Sequence, residues 1–195
     1  MHGVFDLHIV DDFLDAATCL ELTGQLADAD AGAATVYGAS AGGSIDENMR
    51  KTKRLVPPQK TLDDVMGRLS GELESVGKRF GMTLTIIEEP QFLRYNVGDF
   101  FVAHQDGNTG LMRSEREQSR KISVLVFLNS QTESPDADGH CGGTLVFTEW
   151  RPSRQSGRLE VPAKAGTLVA FPSDLTHEVI PVTHGTRYSI ATWFG

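Results

Sequence analysis

The chain has 195 residues, of which 39% are hydrophobic and 23% are charged, a composition that is typical of a globular domain and excludes intrinsic disorder. Its 26 acidic residues outnumber its 18 Lys and Arg residues, which leaves a formal net charge of −8. Because no long basic tract accompanies this acidic balance, general nucleic-acid binding is excluded as a function class.

The sequence shows neither the pattern of a membrane-spanning segment nor that of a signal peptide. No stretch approaches about 18 uninterrupted apolar residues, and residues 1–6 lack the basic and apolar regions of a signal peptide. The two cysteines, Cys19 and Cys141, are too few for a disulfide framework. We therefore expect one cytoplasmic domain over residues 1–195, a monomer or homodimer, with no membrane or nucleic-acid partner.

The first periodic segment, residues 13–31, predicts an amphipathic helix. Its apolar side chains follow helical spacing, and they are Phe13, Ala17 and Leu20, with Leu22 and Leu26 beside them. Asp15 or Thr18 is available as the N-cap, because short oxygen-bearing side chains accept hydrogen bonds from the first turn of a helix.

A second and more regular helix is predicted over residues 61–80. Its apolar side chains recur every three or four positions, and they are Leu62, Val65, Met66, Leu69, Leu73, Val76 and Phe80. Thr61 with Asp64 resembles a capping arrangement at the start, and Gly81 supplies a left-handed stop at the end.

From about residue 83 the pattern changes to the two-residue alternation that is typical of strands. Gly, Pro, Asn and Asp separate eight short segments, which are Leu84–Ile87, Gln91–Asn96, Phe100–His104, Lys121–Leu128, Gly143–Phe147, Thr167–Phe171, Glu178–Val182 and Arg187–Phe194. This pattern predicts an antiparallel sandwich or jelly roll. The expected fold class is mainly β with α, in which residues 83–195 form the core and residues 1–82 supply helices and a mobile loop that pack on it.

Two polar segments, residues 38–54 and 107–119, predict long loops. The first is rich in Gly and Ser and then basic, and the second is almost entirely hydrophilic. Long loops in a compact domain are usually lids or binding loops. We expect these two segments to be the most mobile parts of the molecule.

A metal-binding pattern lies in the β segment. His104 and Asp106 are two residues apart, and side chains two apart in an extended segment point to the same side. His177 begins a later strand, so two histidines and one carboxylate could form the facial triad of a non-heme Fe(II) oxygenase. Ten residues further, Arg187 could hold a ligand carboxylate in a bidentate fork, with Ser189 adding a hydroxyl on the same side.

Three stretches extend this pattern, and they are Leu93-Arg-Tyr-Asn-Val-Gly-Asp-Phe-Phe-Val-Ala-His-Gln-Asp106, Gly142-Gly-Thr-Leu-Val-Phe147 and His177-Glu-Val-Ile-Pro-Val-Thr-His-Gly-Thr-Arg187-Tyr188. On these stretches the sequence resembles the 2-oxoglutarate- and Fe(II)-dependent oxygenases, and within them the prolyl 4-hydroxylase-like branch. The resemblance covers about residues 90–194. It implies a double-stranded β-helix core, jelly-roll or cupin-like, with supporting N-terminal helices.

The resemblance also implies roles for individual residues. His104, Asp106 and His177 correspond to the iron ligands of the family. Arg187 corresponds to the basic residue that pairs with the far carboxylate of 2-oxoglutarate, and Tyr95 to a tyrosine that lines the cosubstrate pocket.

Two departures from the family pattern concern the same pocket. Phe127 stands where the oxygen-sensing prolyl hydroxylases use a tyrosine hydroxyl, and Ala191 stands where they use a threonine. We expect Ser189 or Thr144 to supply the substitute hydrogen bonds to the cosubstrate.

Three residues are candidates for substrate binding. Arg120 and Trp193 occupy places that lie near the substrate in the oxygen-sensing prolyl hydroxylases. Arg50 precedes the second helix, where relatives carry a similar arginine, and it begins a basic run that could form part of a substrate lid.

The activity that the resemblance implies is that of an Fe(II)- and 2-oxoglutarate-dependent dioxygenase. Such an enzyme hydroxylates an unactivated C–H bond, with O2 and 2-oxoglutarate as cosubstrates and succinate and CO2 as products. Ascorbate is a further candidate cofactor. Asp106 favours hydroxylation, since a related halogenase carries a small residue in its place. The favoured substrate is a prolyl or other residue in a peptide or protein, and a free amino acid or small metabolite remains open.

A hypothesis from another class is a non-catalytic, cupin-like metal-binding protein. Arg187 argues against it, because a binder that does not use 2-oxoglutarate needs no carboxylate anchor. His140 and His184 are rival ligands, but both lie in loop-like sequence and are expected to be solvated. A zinc site at His140 and Cys141 would need a second pair of ligands nearby in the sequence.

Overall fold

The computed structural model describes residues 5–34, 46–107, 115–151 and 154–195. Its helices are α1 (Ala16–Ala27), α2 (Gln59–Phe80) and α3 (Glu115–Ser119). Its strands are β1 (His8–Val10), β2 (Ala31–Ala33), β3 (Arg50–Lys51), β4 (Lys53–Leu55), β5 (Gln91–Tyr95), β6 (Phe100–His104), β7 (Ile122–Phe127), β8 (His140–Gly142), β9 (Leu145–Arg151), β10 (Arg154–Val161), β11 (Leu168–Pro172), β12 (His177–Val179), β13 (Val182–Gly185) and β14 (Arg187–Phe194).

Within these ranges the strands form two main antiparallel sheets and a small third one. The larger sheet has seven strands in the order β1-β11-β7-β14-β5-β4-β2, and the smaller has five in the order β10-β9-β12-β6-β3. Strands β13 and β8 form a two-stranded ribbon. This arrangement confirms the jelly-roll prediction, and it is the double-stranded β-helix that the resemblance implied.

Alternation along the strands of the larger sheet separates two environments. On β7, Ile122, Val124 and Val126 pack into a cluster with apolar residues of α1 and α2. Ser123 and Leu125 point to the opposite face, which looks toward the five-stranded sheet. The helices α1 and α2 therefore cover the outer face of this sheet, and its inner face is left to build a site.

The helix ends follow the predicted chemistry only in part. Asp15 caps α1, and its carboxylate accepts a hydrogen bond of 2.8 Å from the backbone N–H of Thr18. Gly81 ends α2 with a φ of 65°, as predicted. Thr61 is not a cap, because α2 begins earlier, directly after Pro58, and the Thr61 hydroxyl instead donates to Gln25 of α1.

Several strand predictions need correction. Residues 84–87 form no strand, and only an isolated bridge joins Ile87 to Phe194. The segment predicted as one strand over 178–182 is split into β12 and β13 around Pro181, since proline cannot donate to a ladder. Strand β9 begins at Leu145 because the two glycines before it adopt positive φ. Strands β1, β2, β8 and β10 have no strong alternation in sequence and were not predicted.

The two predicted loops are also partly corrected. Of the first, residues 38–45 lie outside the described ranges, whereas residues 50–51 and 53–54 belong to strands. Of the second, residues 108–114 lie outside the described ranges, and residues 115–119 form α3. Their mobility remains a prediction. Among the described residues, no helix has the length and apolar character that crossing a bilayer would require.

Candidate metal centre

Two histidines meet where β6 and β12 pair across the smaller sheet. His177 lies opposite His104 in this antiparallel register, and Val179 lies opposite Phe101. The two residue steps from His177 to Val179 correspond to three steps from Phe101 to His104, so a bulge places both Phe101 and His104 on the inner face. The Phe101 ring stacks on the His104 imidazole with centroids 3.5 Å apart, which fixes the plane of that ring.

Asp106 completes a cluster of three donors. Its carboxylate oxygens lie 3.4 Å from His104 Nε2 and 3.4 Å from His177 Nε2. One donor atom from each side chain lies within 4.8 Å of the others. Two atoms that each bind one ion at about 2.1 Å, at nearly right angles, are about 3 Å apart, so the three side chains fit a single metal ion. Among the described residues, this is the one group of three such side chains that converges.

The backbone sets the orientation of both imidazoles. His104 Nδ1 lies 2.8 Å from the carbonyl oxygen of Val102, and His177 Nδ1 lies 2.9 Å from that of Leu175. Since a carbonyl only accepts, each Nδ1 carries the proton and each Nε2 presents its lone pair to the cluster. Burial lowers the pKa of His104, and the neighbouring His177 lowers it again. Both effects favour the neutral imidazole that ligates metals.

The carboxylate of Asp106 is held by its own contacts. The Ser123 hydroxyl donates to Asp106 Oδ2 at 2.7 Å and lies 3.1 Å from the Ser173 hydroxyl. The Asp106 backbone N–H donates to the Ser173 carbonyl at 2.8 Å. Burial raises the pKa of the Asp106 carboxyl, but His177 and His104 lower it by more, so that it lies well below its usual range. The side chain is therefore an ionised ligand.

Two neutral nitrogens and one carboxylate oxygen are the donor set of a facial triad, which leaves positions on one side of the ion for other ligands. The donor chemistry and the spacing therefore fit a non-heme Fe(II) centre, with His104, Asp106 and His177 as the residues that could hold the ion. Among the described residues, no third metal-binding side chain lies close to both His140 and Cys141, so the structure gives no support to a zinc site there.

A buried cation lies on the neighbouring strand of the larger sheet. Arg187 is wholly buried on β14, opposite Tyr95 of β5. Its Nη1 donates to the Ser189 hydroxyl at 2.9 Å, whereas Nε and Nη2 are buried without a partner in the described residues. The rings of Tyr95 and Phe127 lie 5.0 and 5.5 Å from its guanidinium carbon. Burial lowers the pKa of Arg187, but a guanidinium stays charged.

This cation has no acid beside it. Among the described residues, no carboxylate lies within 4.0 Å of Arg187. The two nitrogens without a partner form one edge of the guanidinium, which is the edge that binds a carboxylate through two parallel hydrogen bonds. An uncompensated buried charge is costly, so the arrangement fits an anionic ligand that completes it.

His140 lies in the same region, and its burial was not predicted from the sequence. The expectation of a solvated loop histidine is wrong, because His140 is wholly buried on β8. Its Nδ1 lies 3.0 Å from the Gly142 carbonyl oxygen. Burial and the nearby Arg187 lower its pKa to about 4. His184, the other rival ligand, is exposed on β13, as expected of a solvated side chain.

Arg120 and Trp193 form one unit beside the metal ligands. Arg120 Nε and Nη2 donate to the two carboxylate oxygens of Glu88 at 2.6 and 2.9 Å, and Nη1 donates to the Asp106 carbonyl at 3.2 Å. The guanidinium lies 3.7 Å from the centre of the Trp193 ring system. Trp193 Nε1 is buried and has no partner in the described residues. The guanidinium of Arg120 is therefore bonded to other groups of the protein. The N–H donor without a partner here is Nε1 of Trp193.

Arg50 also lines the cavity beside the cluster. It is buried on β3, with its guanidinium carbon 4.7 Å from the centre of the Phe101 ring. The basic run is therefore not simply a solvated loop face, because its first residue contacts the ring that stacks on His104.

A cavity opens over the cluster, and it brings most of the predicted site residues together. Of the predicted residues, Arg187 and Ser189 lie buried beyond its surface. Its polar lining consists of Arg50, Gln91, Tyr95, His104, Gln105, Asp106, Glu117, Arg120, Ser123, His177, Thr192 and Trp193. Its apolar lining consists of Met49, Leu93, Phe101, Val124, Leu125, Leu145, Phe171, Val179 and Ala191. Ser123 was missed from sequence, although a serine on the inner face of an apolar strand is a signal that could have identified it.

Comparison with known families gives a match over the β core. The model of the 2OG-Fe(II) oxygenase superfamily matches residues 90–195, which is just over half of the chain. A PKHD-type hydroxylase from Klebsiella pneumoniae is 28% identical over 193 residues, or 96% of this chain and 77% of the relative. One from Acinetobacter baumannii is 34% identical over 105 residues. That alignment covers 53% of this chain and only 41% of the relative.

Solved structures with the same fold include prolyl hydroxylases. A prolyl-4-hydroxylase from Pseudomonas putida superposes with a TM-score of 0.70 at 22% identity, over 98% of this chain and 93% of that chain. A prolyl hydroxylase from Trichoplax adhaerens, in complex with a hypoxia inducible factor peptide fragment, superposes with a TM-score of 0.67 at 20% identity. That superposition covers 98% of this chain and 84% of the other. At these identities the likeness shows a shared fold.

Proposed function

The chain belongs to the 2OG-Fe(II) oxygenase superfamily, and from this membership we propose that it hydroxylates an unactivated C–H bond of a substrate. In this reaction 2-oxoglutarate, O2 and the substrate are converted to succinate, CO2 and the hydroxylated product, so that one oxygen atom of O2 enters each of the two organic products. The favoured substrate is a prolyl residue in a peptide or protein.

His104, Asp106 and His177 would hold the ferrous ion in this proposal. The support is the donor set, with two Nε2 atoms and one ionised carboxylate directed at one point. When bound, the ion binds and activates O2 with electrons from itself and the 2-oxo acid. The protein keeps the three donors in place through the Val102 and Leu175 carbonyls, so the imidazoles need no reorganisation.

The observation that carries the proposal is the buried guanidinium of Arg187. Its free Nε and Nη2 edge supports a role as the anchor for the far carboxylate of 2-oxoglutarate. Ser189 fixes the opposite end of the guanidinium through Nη1, so its part is to orient Arg187. The rings of Tyr95 and Phe127 close the sides of the pocket and exclude water from the ion pair.

The departures from the family pattern fit this assignment. A phenyl ring at Phe127 and a methyl group at Ala191 cannot donate a hydrogen bond to the cosubstrate. The Ser189 hydroxyl accepts from Arg187 and still has its own O–H to donate, whereas the Thr144 hydroxyl already donates to Gln131 at 3.0 Å. We therefore assign the binding of the far carboxylate chiefly to Arg187, with Ser189 rather than Thr144 as the supporting hydroxyl.

The walls of the cavity support a substrate with an apolar reacting part. Leu93, Leu125, Leu145 and Val179 line the space near the metal ligands, and a pyrrolidine ring is of comparable polarity. Trp193 Nε1 is a buried donor on the cavity wall that could take a substrate carbonyl. One fold neighbour is in complex with a peptide fragment. Arg50 is proposed to contact the substrate from the cavity wall.

A free amino acid or small metabolite is the second candidate substrate. Arg50 favours this alternative, since an arginine on the cavity wall beside Phe101 could bind the carboxylate of a free acid. A non-catalytic metal binder, by contrast, leaves the buried edge of Arg187 without a function.

The experiment that tests the proposal measures release of labelled CO2 from 2-oxoglutarate by the Fe(II)-loaded protein with ascorbate. Proline-containing peptides and free amino acids are supplied in separate pools, and products are identified by a mass increase of one oxygen atom. We expect release to rise with the peptide pool. A rise with free amino acids alone would support the second candidate, and no release with any pool, together with no basal release, would contradict the proposed activity.

A further inference from the structure

Beside Arg187 lies a second buried side chain with an atom that has no partner. His140 is wholly buried, and its Nε2 makes no hydrogen bond in the described residues. Arg187 is also wholly buried, and the neutral groups around it are the Ser189 hydroxyl and two aromatic rings. Two buried polar groups without partners, in one place, are unusual in a folded protein.

Gly143 brings the two side chains close together. A β-carbon at this position would lie 2.9 Å from Arg187 Cδ and 3.4 Å from His140 Cε1. Gly143 also adopts a φ of 65°, a conformation that residues with a β-carbon rarely take. The imidazole and the stem of the guanidinium therefore flank the same glycine backbone, with no side chain between them.

The hydrogen bond at Nδ1 of His140 determines whether the other ring nitrogen, Nε2, is a donor or an acceptor. Nδ1 lies 3.0 Å from the Gly142 carbonyl oxygen, which only accepts, so Nδ1 carries the proton. Nε2 of the neutral ring is then an acceptor. Several buried side-chain atoms in the described residues have no hydrogen-bond partner. His140 Nε2 is the one among them that can act as an acceptor.

The donors of Arg187 outnumber the acceptors that a carboxylate brings. A guanidinium has five N–H groups, and one of them is used by Ser189. A carboxylate bound to the Nε and Nη2 edge takes two more. Two N–H groups are then left in a buried place, where a donor without a partner is costly.

We propose that His140 is a positioning residue for Arg187, whose Nε2 accepts a remaining guanidinium N–H when the far carboxylate of 2-oxoglutarate is bound. The proposal rests on the proposed function and deepens it. His140 does not touch the carboxylate in this arrangement, and its effect on the cosubstrate passes through the guanidinium. A neutral ring suits the task, since an imidazolium beside Arg187 would place two cations side by side.

The test compares two ligands in three proteins. Wild type, His140→Leu and His140→Gln are loaded with Fe(II) and titrated without oxygen, either with 2-oxoglutarate or with 2-oxobutyrate, which lacks the far carboxylate. Leucine removes the acceptor, whereas glutamine places an amide oxygen near the position of Nε2. We expect His140→Leu to bind 2-oxoglutarate about tenfold more weakly, since a lost hydrogen bond to a charged donor has about that effect.

The proposal also predicts the results for 2-oxobutyrate and for the His140→Gln variant. 2-Oxobutyrate is expected to bind all three proteins equally, and His140→Gln to bind 2-oxoglutarate within about twofold of wild type. An unchanged affinity of His140→Leu for 2-oxoglutarate would overturn the inference alone. Equal loss for both ligands without rescue by glutamine would also overturn it. Failure of wild type to bind 2-oxoglutarate would overturn the proposed function and this inference together.

A measurement on wild type covers the case in which the leucine variant does not fold. The imidazole nitrogens of His140 are followed by 15N NMR in the Zn(II)-loaded protein. The proposal predicts a protonated Nδ1 throughout, and an Nε2 resonance that moves upfield on addition of 2-oxoglutarate but not of 2-oxobutyrate. An Nε2 resonance that is the same with both ligands would contradict it.

Discussion

His104 and His177 lie directly opposite each other on neighbouring antiparallel strands, with ring centroids 4.2 Å apart. Each imidazole is oriented in the same way, by an Nδ1 contact with the carbonyl two residues earlier. The pairing of β6 with β12 therefore brings two distant parts of the sequence to one ion. Asp106, just beyond the end of β6, supplies the carboxylate from the same side.

This geometry predicts that metal affinity depends on His104 and His177 and not on the other histidines of the chain. His177→Ala removes one of three donors, so we expect Fe(II) or Zn(II) affinity to fall by more than about a hundredfold. Calorimetric titration of the metal into the metal-free protein measures the change. His184→Ala is the matched control, because His184 is exposed on β13. Equal losses in the two variants would contradict the assignment of His177.

Ser123 is predicted to tune the metal site without touching the ion. Ser123→Ala removes the hydroxyl that donates to Asp106 Oδ2 at 2.7 Å. We expect metal affinity to fall about tenfold, since such supporting contacts orient a ligand and set its basicity. Ser70→Ala, on the exposed side of α2, is the control. A Ser123→Ala protein with wild-type affinity would show that the carboxylate is held by other contacts.

Arg120 is predicted to matter for stability. It forms a buried ion pair with Glu88 and also donates to the Asp106 carbonyl. Arg120→Ala would leave the Glu88 carboxylate buried without its cation, and we expect the free energy of unfolding in urea to fall by about 3–5 kcal/mol. Arg54→Ala breaks an exposed ion pair with Glu89, so it is expected to cost less than about 1 kcal/mol. Similar costs for the two variants would contradict the buried pair.

The buried His140 predicts a pH dependence of stability. Its pKa is lowered from 6.5 to about 4 in the folded protein, so the unfolded chain binds more protons between these values. Stability is therefore fully present above about pH 6.5 and is lost as the pH falls toward 4. Between pH 7.5 and pH 5 the loss that is due to His140 is about 2 kcal/mol.

Urea unfolding of metal-free wild type and His140→Gln at both pH values isolates this contribution. The other titratable groups are the same in both proteins, so their contributions cancel in the comparison. Glutamine does not titrate, and we expect its stability to fall less than that of wild type over this range. If the free energy of unfolding fell equally in the two proteins, the pH dependence would come from a group other than His140.

The sequence predicts those parts of the fold where β-branched and aromatic residues are bounded by turn residues. The bounds of β6 and β14 agree with the prediction, because both segments are rich in such residues and follow glycine-containing turns. Strand β10 was missed since its sequence, Arg154–Val161, is polar, and its pairing with β9 holds it instead. Residues 84–87 alternate as a strand does but find only one bridging partner, at Phe194.

The same contrast holds for the site. Spacing and family resemblance identified His104, Asp106 and His177 as candidate ligands, and the structure brings these three side chains together. The burial of His140 could not be predicted, because the polar residues around it indicate a loop. Its pairing with β13 and its bridge to Gln131 make it a buried strand residue. Arg120 was predicted as a substrate-binding candidate, but its ion pair with Glu88 could not be predicted because it depends on tertiary packing.

The central claim is that Arg187 anchors 2-oxoglutarate beside a ferrous ion held by two histidines and an aspartate. Anaerobic titration of the Fe(II)-loaded protein with 2-oxoglutarate, followed by visible absorption, tests it most directly. We predict a weak metal-to-ligand band for wild type, partial retention of binding in Arg187→Lys, and at least about tenfold weaker binding in Arg187→Ala. A wild-type protein that binds iron but gives no band, or an Arg187→Ala protein that titrates as wild type does, would contradict the claim.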